Sequence, residues 1–101
     1  MDQEEEAVRR ASMDPDRLLP GEDPEHAEPG DAQHWALVYA ELLQTKTQLI
    51  ANLRELMKGQ SQPARDELER MDVRMLELQI DRFRRRLAYW QSQKDSPPAK
   101  G

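Results

Sequence analysis

The chain has 101 residues, 20 acidic and 15 basic side chains, a net charge of −5 and a mean hydropathy of −1.00. It has no cysteine, which excludes disulfides, thiolate zinc sites and thiol catalysis. No apolar run approaches the roughly 18 residues of a membrane span, and no apolar core of a secretory leader follows Met1. The sequence therefore predicts a cytoplasmic protein that does not enter the membrane.

Residues 1–30 read as a disordered, acidic, Pro-rich arm. Ten acids stand against three bases (Arg9, Arg10 and Arg17), a net charge of −7. Pro15, Pro20, Pro24 and Pro29 recur every four or five residues. Each Pro costs a helix interior about 3 kcal/mol. Apolar residues such as Val8, Leu18 and Leu19 are too few to offset the ordering of the backbone. A frayed helical turn is expected only near the start, where Arg9 and Arg10 follow Glu5 and Glu6 by four residues.

A first helix is expected over 31–58. Asp31 supplies a capping oxygen after Gly30, and Gly59 supplies a left-handed stop. Its apolar positions follow a heptad, with Tyr39, Lys46 and Leu53 at a, Trp35, Leu42, Leu49 and Leu56 at d, and Ala36, Leu43, Ile50 and Met57 at e. The segment Gln60-Ser61-Gln62-Pro63 is the connection, with Ser61 or Gln62 as the cap and Pro63 in a first turn.

A second helix is expected over 64–92, closing a hairpin domain over 31–93 and leaving 94–101 as a disordered tail. It has two apolar seams. Val73, Leu76, Ile80, Phe83, Leu87 and Trp90 form one, spaced 3-4-3-4-3. Leu68, Met71, Met75 and Leu78 form the other, which continues in register as Arg82, Arg85 and Tyr89.

Two such helices joined by a short connection make an all-α, coiled-coil-like antiparallel hairpin. Leu76, Ile80, Phe83 and Leu87 are expected to face Leu42, Leu49 and Leu53. A lone hairpin buries only one stripe per helix, so the second seam predicts dimerisation into a four-helix bundle or docking on another protein.

Chemistry is sparse. His26 and His34 lack the spacing of a helical metal site. Acidic pairs such as Glu67 and Glu69 lie beside basic neighbours on helix surfaces, without the concave, dry setting a catalytic acid needs. The serines have no activating His or Lys, and no Gly-rich phosphate loop is present. The expectation is a protein that is not an enzyme and takes no cofactor or metal.

The predicted role is a small adaptor or regulator that docks on a larger protein or on itself. Its candidate partner-binding residues are Met71, Met75, Leu78, Arg82, Arg85, Arg86 and Tyr89, a mixture favoured in protein interfaces. Segment 81–94 carries five bases and one acid, a net +4. The alternative is therefore a nucleic-acid-associated regulator using Arg82 to Arg86, although the acidic arm would repel phosphates. The arm is instead expected to lie transiently over this basic patch, in competition with an acidic partner.

Overall fold

A computed structural model describes residues 14–95, together with Gln3, Glu6 and Arg10, which are helical. The rest of the ion-paired start and everything beyond Asp95 lie outside the described residues. Among the described residues all regular structure is helical: a 3₁₀ turn at Pro24–His26, α1 at Asp31–Met57, α2 at Gln62–Leu68, a π turn at Glu69–Val73 and α3 at Arg74–Asp95.

α1 opens differently from expectation. Gly30 is the cap residue, with φ of 92° and no side-chain cap bond. The Asp31 carboxylate turns back and accepts from the Glu28 N–H at 2.8 Å. The end differs too, because Gly59 does not have positive φ. Instead the N–H groups of Lys58, Gly59 and Gln60 donate to the carbonyls three residues earlier, at 3.2, 3.2 and 3.0 Å. A tightened last turn thus satisfies carbonyls that a left-handed cap would otherwise serve. Ser61 caps α2 as expected, its Oγ accepting from the Ala64 N–H at 3.4 Å.

α2, the π turn and α3 form one helical run, since Leu68 and Arg74 on either side of the π turn keep right-handed helical angles. It begins two residues before the expected start and ends three after the expected finish, taking in Lys94 and Asp95. The π turn has a sequence cause. The seam residue Val73, 1% exposed, is preceded five places back by Leu68. An α-helix sets residues five apart about 140° from each other. One widened turn returns Leu68 towards Val73's face, where it is half-buried. The Leu68-Met71-Met75-Leu78 seam is broken as a result, and Met71 is left 39% exposed.

α1 and α3 pack antiparallel. Tyr39 meets Phe83 with ring centroids 5.8 Å apart, and fifteen residues further along α1 Arg54 reaches back to Glu77 at 3.3 Å. The core is Ala36, Tyr39, Phe83 and Trp90, with Leu19, Trp35, Leu42, Leu43, Leu87 and Tyr89 packed against it. The Val73-to-Trp90 seam is the buried one on α3, as its spacing predicts.

On α1 the seam shifts. Ala36, Tyr39 and Met57 are buried, and Leu43, Lys46, Ile50 and Leu53 are half-buried. The d positions instead turn outward along the helix: Trp35 and Leu42 are half-buried, Leu49 is 45% exposed and Leu56 is 68% exposed. A strict seven-residue repeat drifts by about 20° per heptad on a straight helix. Four heptad positions accumulate enough rotation to carry d off the seam and e onto it. Leu49, expected against α3's core seam, is for this reason outside the core cluster.

The largest correction concerns the arm. Residues 14–30 are not a disordered tail but a placed segment against the open end of the hairpin, with Glu22 only 6% exposed and Leu19 packed on the core.

Candidate functional site

Glu22 reaches its buried position through a local device the sequence repeats. Leu19-Pro20-Gly21-Glu22 and Glu28-Pro29-Gly30-Asp31 are both x-Pro-Gly-acid. In each, the acid's N–H donates to the carbonyl three residues back, at 3.0 Å. In each, Gly has positive φ, 85° at Gly21 and 92° at Gly30. Pro in the second place and a left-handed Gly in the third are the signature of a type II turn. In each, the acid's carboxylate also accepts from the first residue's N–H, at 2.8 Å. The second copy launches α1, and the first aims Glu22 between α1 and α3. Between them Asp23 caps the 3₁₀ turn, accepting from the N–H groups of Glu25 and His26 at 3.2 and 3.3 Å.

Five donors converge on the Glu22 carboxylate. Oε1 accepts from the Leu19 N–H and the Tyr39 hydroxyl. Oε2 accepts from Trp90 Nε1 at 2.7 Å and from Arg86 Nε and Nη2 at 3.1 and 2.7 Å. The ion pair is dry, with the Glu22 side chain 0% and the Arg86 side chain 16% exposed. A buried charge is tolerated when it is paired and its remaining lone pairs are filled, and both conditions hold here. The Arg86 guanidinium also lies over the Tyr89 ring at 4.7 Å, and that ring meets Trp90 edge-on at 5.0 Å.

The electrostatics follow from these contacts. Burial pushes the Glu22 carboxyl up, but the hydrogen bonds from Tyr39, Trp90, the Leu19 N–H and Arg86 outweigh it and hold the group below its ordinary value. Burial, followed by the Glu22 carboxylate, pushes the Tyr39 phenol up to about 12. Burial acts to lower Arg86, but its bond to Glu22 wins and raises it. Burial, with Arg17 nearby, lowers Arg82.

The expected partner-binding residues divide into two groups. Arg82, Arg85, Arg86 and Tyr89 surround the docked arm. Arg82 is 2% exposed, Arg86 holds Glu22, and Arg85 donates from Nη2 to the Pro15 carbonyl at 3.1 Å. Met71, Met75 and Leu78 lie nearer the connection and touch none of this; Met75 and Leu78 are half-buried. Arg84, from the same basic run, faces Asp81 at 3.8 Å on the exposed surface.

Composition and periodicity single out Arg86 but miss Glu22, Tyr39 and Trp90 as its partners. Tyr39 and Trp90 read as core aromatics. The one usable signal for Glu22 is its place after Pro-Gly, a turn dipeptide twice followed by an acid. Among the described residues no three His, Asp or Glu side chains gather as a metal site would require. No protein-family model, curated protein or solved structure matches the chain.

Proposed function

We propose that the chain is a non-enzymatic interaction module, a helical hairpin that docks through a second stripe on α1. The carrying observation is a row of seven positions spaced 3-4-3-4-3-4: Trp35, Val38, Leu42, Thr45, Leu49, Asn52 and Leu56. None is charged. The first three are half-buried and the last four exposed. A coiled-coil seam has this spacing, and its exposed stretch from Thr45 to Leu56 on a charged protein supports a helix-binding face.

The flank is defined by geometry. Arg54 bridges to Glu69 and Glu77, at 3.5 and 3.3 Å, on one side of the hairpin. At about 100° per residue, Leu49 and Leu56 lie about 140–160° around α1 from Arg54. Met75 lies about 160° around α3 from Glu77. The exposed stripe and Met75 therefore share the opposite flank, so part of the expected Met-rich surface belongs to the same face.

The partner we favour is a second copy. An uncharged stripe meets its own image without like-charge repulsion, and a two-fold pairing uses one patch twice. Two hairpins joined this way are a four-helix bundle in a cysteine-free, cytoplasmic setting. A helix of a larger protein is the other occupant. The nucleic-acid reading draws no support from a basic run whose Arg82 is buried and whose Arg86 is bound to Glu22.

Light scattering across a concentration series tests the reading. The wild-type chain should weigh as a dimer, and Leu49→Glu with Leu56→Glu should be monomeric with unchanged helicity. A wild type that remains monomeric at the highest attainable concentration would remove self-association.

A further inference from the structure

We propose that the open end of the hairpin is a receptor for acidic peptides of the form Leu-x-x-Glu, occupied in the resting chain by its own residues 19–22. The site is distinct from the α1 stripe, and the proposal does not rest on dimerisation.

Donors and occupant lie on different parts of the chain. The Tyr39 hydroxyl comes from α1, and Arg86 and Trp90 come from α3, packed into one core with Phe83 and Ala36. Apart from the Leu19 N–H, every donor to the Glu22 carboxylate is a hairpin side chain 17 to 68 residues distant in sequence. Towards the connection the hairpin is held by Val73, Leu76 and Ile80 and by the Arg54 bridges, while Phe83 and Trp90 at the other end of the seam meet the arm. The arm reaches the receptor through one strand of chain, residues 23–30.

The occupant is a self-contained motif. The Pro20-Gly21 turn closes on itself through the Glu22 N–H to Leu19 carbonyl bond at 3.0 Å and the reciprocal Leu19 N–H to Glu22 bond at 2.8 Å. Leu19 enters the apolar cluster while Glu22 fills the donor pocket. A preorganised turn loses little freedom on docking. The same pair of groups on another chain would meet the same pocket.

The chemistry of the pocket selects the ligand. A two-pronged guanidinium, an indole N–H and a phenol set in an aromatic wall form a carboxylate site, and Arg, Trp and Tyr are the favoured anchors of peptide recognition. Segment 81–94 at +4 adds attraction for acidic sequences, which the arm at −7 satisfies in cis. A short tether gives the arm an effective concentration on the order of millimolar. A free peptide is therefore shut out until the arm is weakened.

The probe is a synthetic peptide of residues 14–28, titrated into full-length chains by calorimetry and tryptophan fluorescence. Gly21→Ala weakens only the occupant, because its Cβ meets nothing within 4 Å and the cost is the positive φ alone. That penalty corresponds to about a tenfold loss of cis occupancy. The peptide should bind G21A and Glu22→Gln about tenfold or more tighter than wild type. A peptide with Gln in place of its Glu22 should fail on both. Equal binding to wild type and variants, or none to folded variants, would overturn the proposal. Loss of helicity in both variants would also overturn it, because the arm would then be part of the core and not an occupant.

Discussion

Glu22 brings a negative charge against a core of Ala, Leu, Tyr, Phe and Trp, and its neighbours account for that charge fully. Removing one partner of a buried ion pair costs about 3–5 kcal/mol when the other charge stays buried. Here the arm can lift and let Arg86 reach water, so the loss is capped at the arm's docking free energy. Glu22→Gln and Glu22→Ala should therefore destabilise by similar amounts and keep the helices. Asp23→Ala, at an exposed cap, should cost less than either. Chemical denaturation of the three variants checks this. The pH dependence has a definite sign. The folded Glu22 carboxyl lies below its ordinary value of 4.5, so its stabilisation is complete above that value. It is lost as pH falls through the folded value. In the alkaline direction, the Tyr39 phenol is raised to about 12, so its contribution holds below about 10 and disappears as pH rises through 12. Trp90 fluorescence should report an acid transition that Glu22→Gln abolishes.

At the scale of the element, one arithmetic drift separates the core from the docking stripe on α1. A seven-residue repeat read off the sequence gives the correct helix and, on α3, the correct seam. It cannot tell d from e at the far end of a straight helix, because the rotation that decides between them accumulates only once the helix exists. Leu56 is thus exposed while Met57 is buried. Phe83→Ala should cost about 3–5 kcal/mol, since the ring is 3% exposed and packs on Tyr39. Leu56→Ala should fall within about 0.5 kcal/mol of wild type. Equal effects would mean that Leu56 is covered in solution, as a dimer through the stripe requires. Measuring Leu56→Ala at low and high protein concentration separates the two cases. The π turn was equally hidden from a 3-4 pattern. Its only trace is the five-residue step from Leu68 to Val73, which an α-helical template discards.

At the scale of the molecule, the arm was legible in charge but not in place. A net −7 facing a net +4 points to contact between them, and contact is what the structure has. Screened surface charges alone would give a loose association of about 0–1 kcal/mol per pair. What fixes the arm instead is a type II turn that plants one acid among three aromatic or cationic side chains. Composition averages that single residue into an acidic, Pro-rich stretch. The consequence is a gradient of order along the arm, readable by amide exchange. The Leu19 and Glu22 N–H groups are bonded to each other's side-chain and main-chain oxygens beneath the hairpin's open end. They should exchange on the timescale of the Tyr39 and Trp90 region. The Glu25 and His26 N–H groups, bonded only to exposed Asp23, through its carboxylate at 3.2 and 3.3 Å and, for His26, also its carbonyl at 3.3 Å, should exchange far faster. Gly21→Ala should erase the difference by releasing Leu19 and Glu22 together while leaving α1 near Leu49 protected. If Leu49 loses protection as well, the arm and the hairpin open as one unit; if only Leu19 and Glu22 respond, the arm is a separate, lower-stability unit seated on a hairpin that stands without it.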